Sequence, residues 1–207
     1  MTETTTQQSP DSPTPRPKRR WLQFNLRTLL VLTLVVGSGL GWIANERRKN
    51  ARLQADIEAL RKSGCVVLIF SEGPYSGTIV VDGDNNPISD AELRRIKSLT
   101  NYLCLNLHNT AITDRGLEHL KGLPRLYSLG LRNTEITDAG LVHLKGLSSL
   151  KHLYLHNTAI TDAGLAHLKG LTNIKSLYLR GTKVTKSGVA ELQKALPNCR
   201  IEYNAKD

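Results

Sequence analysis

Hydrophobic residues return at fixed positions in successive 24-residue stretches of the second half of the chain. Each stretch contains a leucine alternation, as at Leu129 and Leu131, which predicts a strand with its leucines inward. A Thr-Asp pair then precedes inward positions spaced by three, as at Leu165, Leu168 and Leu171, which predict a short helix capped by threonine. Self-similarity at this period predicts a solenoid, in which each unit buries its hydrophobic edge against its neighbours.

Four copies align well, and a fifth, degenerate copy precedes them. The aligned column of β-branched residues holds Ile112, Ile136, Ile160 and Val184. In the fifth copy, Val81 stands in the place of Leu105, and Ile88 stands in the place of Ile112. The solenoid is therefore expected to start near Thr78 and to extend over residues 78–201, with a cap at its C-terminal end. Five units exceed the minimum of about three that such a stack requires.

A different pattern precedes the repeats, because the 18 residues from Thr28 to Asn45 carry no charge. As a helix they reach about 27 Å, near the lower limit for a bilayer core of roughly 30 Å. Trp21 and Trp42 bracket the run as an interfacial pair. We expect a single transmembrane anchor over residues 21–45. The alternative is a cleaved signal peptide, which would leave a secreted soluble repeat protein.

Residues 46–77 are predicted to connect the anchor to the repeats. Leu53, Ile57 and Leu60 fall on one side of a predicted helix whose other side is charged. The Ser-Gly pair that follows predicts the end of this helix. The apolar run at 65–70 predicts a strand. Together this helix and strand would form the N-terminal cap that a repeat stack needs.

Charge supports membrane association more than nucleic-acid binding. The net charge is +10, and residues 1–63 hold 11 Lys/Arg against 5 Asp/Glu, while residues 64–207 hold 17 against 13. The first third is thus +6 and the repeats only +4, and no basic cluster with interleaved aromatics occurs in the repeats. The first 20 residues, rich in proline, threonine and serine, predict a disordered tail, and residues 202–207 form a second tail.

The sequence indicates the presence of the anchor more clearly than it indicates the orientation of the anchor in the membrane or its self-association. Basic residues lie on both sides of the apolar run, so the positive-inside rule barely discriminates. We expect a single-pass membrane protein with its N-terminal tail inside and its repeats extracytoplasmic. Gly37 and Gly41 are spaced for close approach of two anchors, which suggests a homodimer. Ordinary use of glycine in membrane helices explains the same residues, and we prefer that interpretation.

The repeat resembles the leucine-rich repeat family. The phrase Ile-Thr-Asp-x-Gly-Leu, present at 112–117, 136–141 and 160–165, resembles a subclass found in F-box substrate adaptors and in many bacterial leucine-rich repeat proteins. The chain as a whole resembles short bacterial proteins of this family with an N-terminal membrane anchor. The resemblance implies an α/β fold: a right-handed leucine-rich repeat solenoid forming a short arc, here preceded by a single transmembrane helix.

One column departs from the common form of that family. Many such repeats place Asn or Cys there to bond the backbone of the next coil, whereas this chain has threonine. The residues are Thr110, Thr134, Thr158 and Thr182. Their hydroxyl groups are expected to form a similar ladder between coils.

Residues capable of chemistry are present, but their spacing does not indicate a catalytic or metal site. His119, His143 and His167 form a repeated surface column with no carboxylate or cysteine to complete a zinc site. The acidic run from Asp82 resembles a calcium loop but has proline and leucine where glycine and glutamate are needed. We expect no enzyme activity, no cofactor and no metal ion. The three cysteines, Cys65, Cys104 and Cys199, are interpreted as packing residues.

The outward strand positions are the remaining candidates for function. They alternate with the inward leucines and form the concave face of the solenoid, where Arg and Tyr are typical of interface centres. The candidate partner-binding residues are His108, Arg132, Tyr154, His156, Tyr178 and Arg180. Because the four rows lack acidic residues and the first row offers Asp82 and Asp84, a mostly acidic protein or peptide is expected. The alternatives are ordinary solvated positions and a structural spacer with no single partner.

Overall fold

The computed structural model describes residues 26–70, 77–84, 88–99 and 102–204. For residues 26–37, 39–40 and 102 it describes the backbone alone. The chain divides into two compact units, Met1–Glu46 and Arg47–Asp207. The predicted disordered tail lies outside the described residues.

Among the described residues, seven strands form one sheet: β1 Val66–Phe70, β2 Thr78–Asp82, β3 Tyr102–Asn106, β4 Leu126–Gly130, β5 His152–Tyr154, β6 Ser176–Tyr178 and β7 Arg200–Glu202. The α-helices are α1 Leu26–Lys62, α2 Asp90–Leu93, α3 Asp114–Glu118, α4 Asp138–Leu141, α5 Asp162–Leu168 and α6 Lys186–Ala195. Two 3-10 segments, Arg94–Ser98 and Val142–Leu144, continue α2 and α4.

The strands lie side by side in chain order, which is the arrangement of a coil that advances by one strand per turn. Strand β1 is antiparallel to β2, and every later pair is parallel. Each parallel strand is followed by a helix before the next strand begins. The prediction of an α/β repeat stack with a parallel sheet is confirmed.

Leucine, isoleucine and valine fill the space between the sheet and the helices. The β-branched column that begins at Ile112 is at most 1% exposed in all four copies, and Leu129 and Leu131 are fully buried. In the degenerate copy, Val81 and Ile88 are buried in the same way. The inward positions predicted from periodicity are therefore confirmed.

The apolar side of α1 closes the N-terminal end of this core. Ile57 and Leu60 are buried, and Leu53 packs against the cluster at its margin. The helix ends at Lys62, directly before the Ser63 and Gly64 stop, and Gly64 takes a positive φ of 97°.

The predicted anchor over residues 21–45 begins outside the described residues, and most of its apolar side chains lie outside them too. In the parts of the chain that the structure does describe, no helix combines the length and the apolar character needed to cross a membrane.

The buried threonine column does not form the expected ladder between coils. Each hydroxyl donates to a carbonyl oxygen three residues earlier in its own repeat, at 2.7–2.8 Å; for example, Thr134 bonds Leu131. The prediction is wrong because a threonine side chain is short, and the carbonyl oxygen that its hydroxyl reaches belongs to its own turn. The column stabilises each turn internally.

Aspartate and threonine form the principal ladder on the helical side. The Asp138 carboxylate accepts two hydrogen bonds from Thr161 of the next copy, from the backbone N–H at 2.8 Å and from Oγ1 at 2.5 Å. The same Thr161 Oγ1 accepts from the Ala163 N–H and so caps α5. Equivalent pairs are Asp90 with Thr113, Asp114 with Thr137, and Asp162 with Thr185.

This ladder explains the glycine of the repeated phrase. A Cβ on Gly164 would overlap the Asp138 carboxylate, and each equivalent glycine meets the aspartate of the copy before it in the same way. These glycines are Gly116, Gly140, Gly164 and Gly188. Glycine is thus required for close approach of one coil to the next.

A second ladder runs along the turns that follow the strands. Asn133 Nδ2 donates to Asn109 Oδ1, and Asn157 Nδ2 donates to Asn133 Oδ1 at 2.7 Å. These three asparagines have φ values of 53° to 57°, in the left-handed region that asparagine tolerates better than most residues. Asp84 begins the ladder by accepting from Asn109, and Gly181 occupies the column in the last copy.

Candidate functional site: the strand face

The outward side of the sheet, here called the strand face, carries a central row with one residue from each strand. Its members, fixed by the strand register, are Asp82, Asn106, Gly130, Tyr154, Tyr178 and Glu202. A second row, here called the loop row, follows two residues later with His108, Arg132, His156 and Arg180. All six predicted partner-binding residues belong to these two rows.

Aromatic side chains of the two rows form a continuous stack. The rings of Tyr154 and Tyr178 are nearly parallel, 4° apart, with centroids separated by 4.6 Å. His156 stacks on Tyr178 at 5.5 Å, and His108 meets Tyr154 edge-on at 5.9 Å. The stack follows from the repeat, because equivalent residues on adjacent parallel strands lie about 4.8 Å apart.

His108 has a defined orientation and protonation state. Its Nδ1 accepts the backbone N–H of Arg132 at 3.0 Å, so in the neutral ring the proton is on Nε2. Burial lowers the pKa of His108, more than Asp84 raises it. The ring is therefore neutral at pH 7 and presents an N–H donor at Nε2.

The other two histidines of the strand face are also neutral at pH 7. Burial lowers the pKa of His152. Burial also lowers the pKa of His156, and the charges of Arg132 and Arg180 lower it further. The positive charge of the face thus comes from its arginines. In the described structure, His156 Nδ1 is buried without a hydrogen-bond partner.

A pocket lies beside the stack, and Gly130, the one residue of the central row that has no side chain, is among the residues that line it. We call it the Gly130 pocket; it has a volume of about 240 Å³. The residues that line it include Cys104, His108, Ser128, Gly130 and Tyr154. A Cβ on Gly130 would lie 2.5 Å from Cε1 of His108, so glycine allows the imidazole to lie over the strand.

Acidic residues lie at both ends of the central row, whereas the sequence predicted only one acidic end. Asp82 accepts from Asn106 Nδ2 at 3.1 Å at the first end. At the other end, Glu202 of β7 lies 3.5 Å from Arg180 and 2.8 Å from Arg200. The additional strand β7 was not part of the predicted repeats, which is why Glu202 was missed. Arg132 has no such carboxylate partner among the described residues.

The remaining chemical candidates lie apart from this pocket or are packing groups. His119, His143 and His167, which were predicted to form a surface column, are half-buried on the helical side of the repeats. The described residues contain no cluster of ligands suited to a metal ion. Cys65 and Cys199 are buried, and burial raises the pKa of the Cys199 thiol to about 11. Cys104 differs, since it is half-buried and lines the pocket; burial raises its pKa too.

The comparisons with known proteins agree with the repeat architecture. Residues 124–184 match the family model described as leucine rich repeat. Residues 124–184 are therefore similar to leucine-rich repeats. No curated protein matches it.

Solved structures with similarity to the chain include two bacterial repeat proteins. A leucine-rich repeat protein of Leptospira interrogans is 22% identical over 54% of this chain and 33% of that chain, with a TM-score of 0.39. The match therefore spans about a third of the Leptospira chain. Internalin C2 of Listeria monocytogenes is 18% identical over 62% of this chain and 73% of that chain, with a TM-score of 0.38.

A plant structure is similar at the same level. The leucine-rich repeat ectodomain of a receptor kinase from Arabidopsis thaliana is 14% identical over 75% of this chain and 92% of that chain, with a TM-score of 0.39. At these scores none of the three bears on what this chain binds.

Proposed function

We propose that this chain is a membrane-anchored, non-catalytic leucine-rich repeat module that binds a protein or peptide on its strand face. One observation carries the proposal: the side chains that differ between copies gather on this face as a stack of Tyr154, Tyr178 and His156 beside exposed arginines. Tyrosine and arginine are enriched at the centres of protein interfaces. On the helical side, by contrast, the repeated polar residues already bond one another.

The test is loss of a partner when the strand face is truncated. We expect replacement of Arg132, Tyr154, His156, Tyr178 and Arg180 by alanine to remove proteins that crosslink to the wild-type chain in its native cells. A matched control replaces His119, His143 and His167 by alanine on the helical side and should retain them. Recovery of the same proteins from both variants would overturn the proposal and favour a structural spacer.

The anchor rests mainly on the sequence of residues 21–45, and two described side chains support it. Trp42 and Ile43 of α1 are 67% and 42% exposed, although each is large and apolar. A bilayer interface is a favourable environment for such residues, and tryptophan in particular is enriched there. Asn45 and Glu46 follow, where the helix becomes strongly charged.

Fractionation of cells tests the anchor and its orientation separately. The chain should stay with membranes after extraction at alkaline pH, and a variant with Leu34 and Val35 replaced by arginine should not. Protease added to cells with an intact inner membrane should reach the repeats. If the repeats become accessible only after that membrane is opened, the proposed extracytoplasmic location is wrong.

A further inference from the structure

The segments that connect a helix to the next strand in the middle of the stack carry only positive charge. Residues 119–125, 145–151 and 169–175 contain six Lys or Arg and no Asp or Glu. Because strands β2 to β7 are parallel, these segments lie at the same edge of the sheet, where the strands begin. We call it the lysine edge, and its charged residues are Lys121, Arg125, Lys145, Lys151, Lys169 and Lys175.

The five lysines of this edge are not neutralised within the described structure. Lys151 is half-buried and the other four are exposed, and none lies within ion-pair distance of a described carboxylate. The opposite edge, where each strand leads to the first residue of a helix, has six acidic and four basic residues. Its segments are residues 83–90, 107–114, 131–138, 155–162 and 179–186. The two edges of the solenoid therefore differ in charge.

Helix stabilisation explains only part of the lysine edge. Lysine near a helix C-terminus interacts favourably with the helix dipole, which accounts for Lys121, Lys145 and Lys169. It does not account for Lys151 and Lys175, which directly precede β5 and β6, or for the lack of acidic residues. Like charges on adjacent coils repel one another, and a negatively charged partner relieves that repulsion.

The direction of α1 shows from which side the chain enters the unit Arg47–Asp207. After the end of α1, the first residue of β1, Val66, pairs with Asp82, at the C-terminal end of β2. Nearer the start of this part of α1, Asp56 lies 3.6 Å from Arg95, in the 3-10 segment that leads toward β3. Within this unit α1 therefore runs from the lysine edge toward the opposite edge, and the chain enters on the lysine-edge side.

The distance from this entry point to the lysine edge is short. From Asp56 back to Arg47 the helix spans about 14 Å. An extended lysine side chain covers part of that distance, and the remainder is close to the Debye length of about 8 Å at physiological salt. The proposed anchor precedes Arg47 in the chain, so a bilayer around it would lie within electrostatic reach of these lysines.

The chemistry of the lysine edge favours lipid headgroups over a protein surface. Every leucine and isoleucine of the three segments is buried, so the edge offers no apolar anchor. Centres of protein interfaces are formed by aromatic and other apolar side chains. Anionic headgroups require only positive charge, and each Lys or Arg near such a surface adds to the attraction.

We propose that the lysine edge rests on the negatively charged lipid headgroups of the bilayer that holds the anchor. The strands then point away from the bilayer, and the strand face is open at the side to a partner. This inference rests on the anchor of the proposed function and adds the orientation of the repeats on the membrane.

The reactivity of individual lysines in the full chain tests this orientation. The chain is reconstituted in nanodiscs of phosphatidylcholine alone or with phosphatidylglycerol, and a neutral amine-acetylating reagent is followed by mass spectrometry. We expect Lys121, Lys145 and Lys169 to react about threefold to tenfold more slowly in the anionic discs, and the difference to disappear at about 0.5 M salt. Lys183 and Lys186, on the opposite edge, are internal controls and should react equally in both discs.

Charge reversal shows whether the lysine edge itself carries the contact. In the variant with Lys121→Glu, Lys145→Glu and Lys169→Glu, the remaining Lys151 and Lys175 should lose their protection in anionic discs. Circular dichroism verifies that the variant is folded.

A matched control reverses three exposed charges on the other side of the repeats. The substitutions are Arg115→Glu, Lys183→Glu and Lys186→Glu, which change the net charge by the same amount. Protection of the lysine edge should persist in this variant.

Several results would overturn the orientation: equal acetylation of the lysine edge in both discs, equal slowing of Lys183 and Lys186, or unchanged protection after charge reversal of the lysine edge. Protection by added polyglutamate in neutral discs, without protection by anionic lipid, would identify an acidic protein partner instead. Size-exclusion chromatography separates failure of the anchor from failure of this inference. A chain that does not enter the discs rejects both, whereas a chain that enters with a fully reactive lysine edge rejects the orientation alone.

Discussion

The helical side and the strand face of the same repeats use their polar residues in opposite ways. On the helical side, identical Asp-Thr pairs bond each coil to the next, and glycine keeps the space that the aspartate needs. On the strand face, the residue changes from Asn106 to Gly130 to Tyr154 between neighbouring strands. Repetition therefore marks the residues that bond one coil to the next, and variation marks the outward positions of the strand face.

The largest effect is expected from cutting the Asp-Thr ladder in the middle of the stack. Asp138→Ala removes two hydrogen bonds to a carboxylate and leaves the Thr161 N–H unpaired, which should cost about 3 kcal/mol of unfolding free energy. Urea denaturation followed by circular dichroism measures this. Glu118→Ala, at an exposed position of α3, is the control and should change stability by less than about 0.5 kcal/mol. Equal effects would show that the ladder does not stabilise the stack.

A smaller loss is expected from adding one methyl group beside that carboxylate. Gly164→Ala places a Cβ against Asp138 and should cost about 2 kcal/mol, even though alanine is the better helix former. Gly170→Ala is the matched control, because a Cβ there meets nothing within 4 Å. In the double variant Asp138→Ala with Gly164→Ala, the new methyl group occupies the vacated space. The combined loss should therefore be smaller than the sum of the two, and strict additivity would contradict the close approach.

The strand face should contribute less to stability than the ladder. Tyr178→Ala removes the ring that stacks with both Tyr154 and His156, and is expected to cost about 1 kcal/mol. Tyr178→Phe keeps the ring and should remain within about 0.5 kcal/mol of wild type. The same urea experiment measures both. A loss from Tyr178→Ala as large as that from Asp138→Ala would remove the contrast between the two sides.

The smallest effect is a pH dependence that originates on the strand face. The pKa values of His108, His152 and His156 are lowered below 6.5 in the folded chain, chiefly by burial. Between the folded and unfolded values, the unfolded chain binds more protons, so stability should fall as the pH drops below about 6.5. Urea midpoints at pH 7.5 and 5.5 measure this fall. Replacing the three histidines by glutamine should reduce it, and an unchanged fall would assign it to other groups.

The two ends of the sheet show which parts of the fold the sequence left open. The predicted strand at 65–70 is present as β1, but it pairs antiparallel with β2, and Val66 and Leu68 are about half exposed. At the other end, β7 adds Glu202 to the strand face. End strands lie outside the repeat, so no aligned copy predicts their direction or pairing.

Periodicity alone determined the inward columns, the threonine helix caps and the outward position of the candidate residues, because burial of leucine on one side forces the alternation. Only the tertiary structure decided which polar atoms meet. It assigned the coil-to-coil bonds to aspartate and asparagine instead of Thr134 and its equivalents. Such a bond forms only when two atoms from residues 23 or 24 positions apart come within about 3 Å of each other, and the sequence does not give that distance. It also showed that the absence of a side chain at Gly130 lets the His108 imidazole lie over the strand, a contact between residues of adjacent repeats that the aligned columns do not predict.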